Sequence, residues 1–159
     1  MSGKQSAGIL AYRFRGNTAE VLLAHPGGPF WQNKDAGVWS IPKGEFEPGE
    51  DAFTAARREW NEETNLRLSG NFIPLSPVRQ KSGKTVLAWA VECDTDLSTF
   101  RSNTFETEWP PRSGKLQSFP EVDRVSWFTL EEAKEKINPG QVPLIEELES
   151  RLKLQARKV

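Results

Sequence analysis

The stretch DAFTAARREWNEETN, Asp51 to Asn65, constrains this chain more than any other. Phe53, Ala56 and Trp60 recur at three- and four-residue steps. That spacing predicts a helix from about Asp51 to Thr64 with one apolar stripe, which must lie against another layer. Asp51 is a good N-cap residue, and Asn65 suits the left-handed position that closes a helix. Near the C-terminal end stand Glu59, Glu62 and Glu63. A helix C-terminus already carries partial negative charge, so acids there are disfavoured by about 0.3–1 kcal/mol each. At helical spacing the three project together. Their sector lies beside the apolar stripe, at the edge of the buried face, with Ala52 and Ala55 expected to leave open space in front of them.

Two carboxylates about 5 Å apart repel by roughly 3 kcal/mol at an effective dielectric of 20. Arg58 offsets part of this, but one guanidinium cannot neutralise three acids. A divalent cation can. Carboxylate oxygens with no histidine or thiolate beside them are hard ligands, suited to Mg²⁺ or Mn²⁺ and not to zinc. Mg²⁺ in such sites keeps waters and is completed by substrate phosphates. The acids therefore point to phosphate chemistry. A bare E-x-x-E-E also recurs on solvated helix faces. What sets this one apart is the fixed spacing of Gly44, the Pro48-Gly49 turn, Glu50 and Arg58-Glu59 ahead of it.

A chain of 159 residues is enough for one domain, taken as 1–159. Its formal net charge of −1 provides no global basic field. No DNA partner or anionic membrane is expected, and any anion site must be local. The single cysteine, Cys93, excludes an intrachain disulfide and a cysteine-built zinc site; at the end of an apolar strand it is expected to pack. MSGKQSAGIL lacks the apolar core of a signal peptide, and no apolar run reaches membrane-spanning length. The expected compartment is the cytosol. Oligomeric state is not legible.

Ala7–Phe14 and Glu20–His25 read as strands around a Gly16-Asn17 turn. The Gly/Pro-rich loop HPGGPFWQNKDAG leads to a short strand, Val38–Ile41. Glu47-Pro48-Gly49-Glu50 fits a type II turn. Beyond the acidic helix, Phe72–Gln80 and Thr85–Cys93 form a strand pair around Lys81-Ser82-Gly83-Lys84. Asn103–Trp109 is a further strand, Pro110–Ser118 a loop, and Val125–Phe128 a last strand. Thr129 and Glu132 have capping-box spacing for the helix that follows. Gly140 breaks that helix, and a final one runs from about Val142 to Lys153. Strands, helix, strands, two helices: this order predicts an α/β chain with a mixed sheet covered by helices.

Residues 44–66 resemble the Nudix box, G-x5-E-x7-R-E-U-x-E-E-x-G-U with U a bulky apolar residue. Gly44, Glu50, Arg58-Glu59, Trp60, Glu62-Glu63 and Leu66 fall in place. Asn65 stands where the family has glycine, and tolerates the same backbone. VWSIPKGEFEPGED resembles Nudix enzymes that cleave nucleoside polyphosphates, including diadenosine tetraphosphate hydrolases. EVDRVSWFTLEEA resembles the family's closing strand and helix. The resemblance spans residues 7 to about 150.

It implies a Nudix-type α/β/α sandwich with a mixed sheet, a loop-helix-loop metal site, and Mg²⁺-dependent (or Mn²⁺-dependent) attack of water on a diphosphate linkage. It implies Glu59, Glu62 and Glu63 as metal ligands, with one of them an alternative base for the water. Glu50 would support the metal, the Gly44 carbonyl would ligate it, Arg58 would orient the glutamates, and Lys43 would face substrate phosphate. Charge neutralisation is the main task in such a reaction.

Outside the box, Arg112 and Lys115 are candidates for distal phosphates or a solvated turn. Trp31 and Phe30 are loop aromatics available to stack on a base or to cover a sheet edge. Glu106, Glu108 and Glu121 are candidate extra acids, with Glu121 preferred because it precedes the closing strand. His25 reads as a strand-end polar residue, with substrate contact the alternative. Trp39, Trp60, Trp89 and Trp127 are expected in the core. The expected function is a metal-dependent pyrophosphohydrolase acting on a small phosphorylated substrate, a nucleoside or dinucleoside polyphosphate. The alternative is a domain that binds nucleotide or protein without hydrolysis.

Overall fold

The computed structural model describes residues 4–157. Its strands are β1 (Gln5–Arg15), β2 (Thr18–Pro26), β3 (Lys43–Glu45), β4 (Ile73–Pro74), β5 (Val78–Arg79), β6 (Thr85–Glu92), β7 (Thr104–Glu108), β8 (Leu116–Pro120) and β9 (Val122–Thr129). The helices are α1 (Ala52–Thr64), α2 (Leu130–Lys136) and α3 (Val142–Arg157). One sheet runs β4-β6-β1-β2-β9, with β3 added to β1 and β5 to β6; β7 and β8 form a separate hairpin. The β1–β6 pairing is parallel and the others are antiparallel, so the sheet is mixed.

Alternation along β1 builds the layers. Ala7, Ile9 and Ala11 face α1, where they meet Ala55, Ala56, Trp60 and Leu66. Leu10 and Tyr12 face the other way, onto Ala133, Ile137, Leu144, Ile145 and Leu148 of the α2–α3 layer. The result is the expected helix–sheet–helix sandwich. Trp39 and Trp60 are buried core residues; Trp89 and Trp127 are partly buried and pack on the α1-side cluster. Cys93 is buried, as expected.

Asp51 caps α1, accepting from the Thr54 N–H at 3.0 Å. Asn65 closes it at φ 57°, and its side-chain amide donates to the Thr99 carbonyl at 3.2 Å. Asparagine in the glycine position thus gains a tether that glycine could not make. Thr129 and Glu132 form the capping box of α2.

Four expectations change. Val38–Ile41 is not a strand. Trp39 and Ser40 make isolated bridges to Ile137 and Ala24, and the ladder resumes only at Lys43, because Pro42 has no N–H to give. Phe72–Gln80 divides into β4 and β5 around Pro74 and Pro77 for the same reason. The end of the Pro110–Ser118 loop is strand: Leu116 pairs with Glu108. The Glu47–Glu50 turn closes with a 2.9 Å bond from the Glu50 N–H to the Glu47 carbonyl, but Gly49 is not among the positive-φ glycines, so it is not type II.

Candidate functional site

Along β1 the partner strand changes. Tyr12–Arg15 pair with β2, whereas Ser6–Gly8 pair with β3. Where β2 and β3 part, a cleft of about 530 Å³ opens. One wall is acidic: Glu59, Glu62 and Glu63 from α1, and Glu121 from the start of β9. The lining also carries Lys43, Lys84 and Ser6. The C-terminal end of α1 reaches the cleft because its apolar stripe, centred on Ala56 and Trp60, is pinned to the sheet. The acids sit at the edge of that stripe, as their spacing predicts.

Arg58 sits among the acids. Its guanidinium holds Glu50 through two bonds of 3.2 Å, and donates to Glu59 at 3.2 Å and to Glu62 at 3.3 Å. These contacts hold the Arg58 proton above its ordinary range, chiefly through Glu50. Glu50 is turned onto Arg58 and does not line the cleft. Glu63 accepts from the Lys43 backbone N–H at 3.3 Å. Burial, and then the neighbouring Glu59, push its carboxyl up to about 8. Glu59 is raised too, by burial first and by Glu62 second, with Arg58 opposing. Burial lowers the Lys43 ammonium, and Lys84 lowers it further.

Among the described residues no three histidine, cysteine or acidic side chains, as they stand, are grouped to hold an ion. The donor chemistry nevertheless fits a hard divalent cation. A Cβ built on Gly44 would lie 2.1 Å from the Glu59 carboxyl carbon, so only a bare backbone can approach that carboxylate so closely. Carboxylates and the backbone of Gly44 line one cleft whose described lining contains neither histidine nor cysteine. Two of the carboxylates have pKa values raised by their surroundings, and a cation would relieve their repulsion.

The cleft gathers Glu59, Glu62, Glu63, Gly44, Lys43 and Glu121. Arg112, Lys115 and Trp31 lie outside its lining. Arg112 sits in the β7–β8 turn at φ 63°, its backbone N–H donating to Glu108. Lys115 is exposed in the same turn. Trp31 is exposed, with the Lys34 ammonium 5.2 Å from its ring, while Phe30 packs edge-on to Trp109. Glu106 and Glu108 also lie outside the cleft lining. His25 is fully buried, with Nδ1 2.8 Å from Asp123 Oδ1 and Nε2 2.6 Å from the Lys34 carbonyl, holding the Gly/Pro loop to the sheet.

Ser6, Lys84 and Asn103 are lining residues that the sequence did not single out. Lys84 had one signal, its place at the end of a turn before an apolar strand. The Asn103 N–H donates to the Glu62 carbonyl at 2.8 Å and its carbonyl accepts from the Glu121 N–H at 2.9 Å, tying the two acidic elements together. The Ser6 hydroxyl is buried with no hydrogen-bond partner among the described residues, a condition that costs about 1–3 kcal/mol.

The NUDIX domain family matches residues 4–148. An RNA pyrophosphohydrolase of Rhodopseudomonas palustris (strain HaA2) is 43% identical over 47 residues, which are 30% of this chain and 28% of that protein. Nudix hydrolase 7 of Arabidopsis thaliana is 30% identical over 104 residues, 60% of this chain and 35% of that protein. The chain therefore spans about a third or less of the length of these curated relatives. Among solved structures, a C. elegans Ap4A hydrolase binary complex superposes with TM-score 0.63 at 24% identity, over 93% of this chain and 98% of that one. The NUDIX domain of Shewanella oneidensis NrtR, complexed with ADP ribose, gives 0.67 at 15% identity, over 96% and 90%. At those identities the likeness speaks for the fold. Among the described residues no helix is long and apolar enough to cross a membrane.

Proposed function

The chain belongs to the NUDIX family, and from that premise we propose that it is a Mg²⁺- or Mn²⁺-dependent pyrophosphohydrolase cleaving a diphosphate linkage in a nucleoside or dinucleoside polyphosphate. The observation that carries this reading is the convergence of Glu59, Glu62, Glu63 and Gly44 on one cleft whose lining also holds Lys43 and Lys84. A metal–diphosphate ligand is anionic at one end and cationic at the other, and a cleft lined by both carboxylates and lysines complements it.

When bound, a divalent ion would polarise phosphoryl oxygens and lower the pKa of its water. Glu59, Glu62, Glu63 and the Gly44 carbonyl would hold it. Arg58 keeps Glu59 and Glu62 turned to the cleft by bonding both, while Glu50 holds Arg58 in place from its other edge. Lys43, reaching from β3, offers an ammonium to phosphate oxygens. Glu121 lines the cleft with the α1 acids and, forming no ion pair among the described residues, is the candidate for taking the proton of the attacking water.

The test is a hydrolysis screen of the full chain across sugar nucleotides, dinucleotides, capped RNA and nucleoside triphosphates, run in ¹⁸O water to locate the attacked phosphorus. Glu62→Gln and Glu63→Gln are the controls. Turnover that needs Mg²⁺ or Mn²⁺ and falls by two or more orders of magnitude in both variants supports the reading. Equal activity in the variants overturns the site. Saturable nucleotide binding with no turnover in either metal favours the non-hydrolytic alternative.

A further inference from the structure

Beside the acids the chain crosses from one strand to another. Ser40 pairs through its backbone with Ala24 of β2, at 3.0 and 2.8 Å, and the Pro42 carbonyl accepts from the Ile9 N–H of β1 at 3.2 Å. The segment from Ser40 therefore leaves β2 and joins β1, where β3 begins at Lys43. A buried backbone donor needs a partner. Pro42 has no N–H, which leaves those of Ile41 and Lys43. The Lys43 N–H goes to the Glu63 carboxylate of α1 at 3.3 Å. The Ile41 N–H goes to the side-chain oxygen of Gln141 at 3.1 Å.

Gln141 ends the single turn Pro139–Gln141 that leads into α3. It is fully buried, yet it is not part of the cleft lining, to which Ser40 and Ile41 belong. Its Nε2 donates to the Ser40 hydroxyl at 3.0 Å and to the Gln80 side-chain oxygen at 2.8 Å. The amide can face only one way, because its oxygen alone can accept from the Ile41 N–H. Packing does not call for an amide at a fully buried position, but its bonds do. Gly140 brings the turn in: a Cβ there would lie 2.9 Å from the Gln80 Cα. The crossing is thus clamped from both faces of the sheet. Gln141 holds Ile41, which packs with the α2–α3 layer, and Glu63 of α1 holds Lys43. One residue further on, Gly44 lies against the Glu59 carboxylate. A displacement at Ile41 is therefore passed to two of the three clustered acids.

We propose that Gln141 is a positioning residue of the candidate active site. From the α2–α3 side of the sheet it fixes the segment from Ser40 to Gly44, and through that segment the placement of the Glu63 and Glu59 carboxylates. This deepens the hydrolase reading and rests on it for what those carboxylates hold. The positioning itself is measurable without metal or turnover.

The test compares the full chain with three variants. Gln141→Met keeps the side-chain length and loses every bond. Gln141→Asn, the milder change, keeps the amide but withdraws it by one methylene. Gln80→Met removes one bond of Gln141 and leaves those to Ser40 and Ile41. Amide hydrogen exchange is followed by NMR in EDTA, with the β6 amides reporting any opening of the whole sheet. Relative to them, the Lys43 N–H should exchange about tenfold faster in Gln141→Met and about threefold faster in Gln141→Asn. Mn²⁺ affinity is read from the free-ion signal in electron paramagnetic resonance. It should fall about tenfold in Gln141→Met, about threefold in Gln141→Asn and less than about twofold in Gln80→Met. Gln80→Met should lower Tm without moving either readout. A merely structural glutamine would instead move every readout in step with Tm, in all three variants. The positioning role is overturned if Lys43 and the β6 amides accelerate together in both Gln141 variants, if Mn²⁺ affinity is unchanged in both, or if Gln80→Met matches them. An unaltered chain that neither binds Mn²⁺ nor turns over any substrate removes the hydrolase reading, and Lys43 exchange then decides the positioning by itself.

Discussion

At Glu63, burial and the neighbouring Glu59 both favour the protonated carboxyl, moving it from 4.5 to about 8. Between those values the folded chain holds a proton that the unfolded chain has lost. Stability then falls as pH rises through that window. In EDTA, Tm should drop from pH 5 to pH 8, measured by scanning calorimetry. Glu63→Gln should flatten that profile, raising stability at pH 8 by on the order of 2 kcal/mol, or about 4–8 °C for a chain of this length. A profile equally steep in the variant assigns the pH dependence elsewhere. Asn65 offers a second test. Its φ of 57° disfavours a Cβ, and its amide bonds Thr99. Asn65→Ala should cost about 1–2 kcal/mol in urea unfolding. Asn65→Gly, which relieves the backbone but loses the tether, should stay within about 0.5 kcal/mol.

At the scale of elements, α1 carries the acids and β3 the glycine that abuts them, and each is tunable. Asp51 satisfies the first turn of α1 through the Thr54 N–H and hydroxyl. Asp51→Ala should therefore cost about 1 kcal/mol of stability, read by urea unfolding. β3 is held against β1 by three residue pairs, with Gly44 against the Glu59 carboxylate. Gly44→Ala must push Glu59 or β3 aside. Once a substrate is found, that variant should lose activity on the order of a hundredfold, as about 1 Å of misplacement can do. Its far-UV spectrum should be unchanged.

For the molecule as a whole, the three clustered acids lie on α1 and Lys43 on β3 of the sheet, so a ligand reaching both should tie α1 to the sheet. At about a hundred times its Kd, a ligand specific to the folded state adds about 2.7 kcal/mol. Mg²⁺ with a non-hydrolysable nucleoside polyphosphate should then raise Tm by about 5–10 °C. Glu62→Gln should abolish most of that gain while leaving the melt in EDTA nearly unchanged. No gain in the unaltered chain would count against a metal–phosphate site in this cleft.

Much of the fold was legible because it rests on local pattern. The Phe53/Ala56/Trp60 stripe, the caps at Asp51 and Thr129, and the strand periods of β1, β2 and β6 are each fixed by residues a few positions apart. So is the clustering of Glu59, Glu62 and Glu63, since one helix turn brings them together whatever else the chain does. The rest of the cleft lining was not legible. Ser6, Lys43 and Lys84 line one cleft only because β1 takes β3 on one edge and, in parallel, β6 on the other. The sequence separations there are about 40 and 80 residues, and no periodicity reports across them. The prolines at 42, 74 and 77 ended strands that their apolar neighbours suggested, and β8 became strand only by having β7 to pair with. The sequence by itself determined the helix and its acids, on which the proposed chemistry rests, because these follow from short-range geometry. Tertiary structure alone decided what faces those acids, because strand pairing is a long-range choice that brings distant lysines, a serine and Glu121 into one cleft.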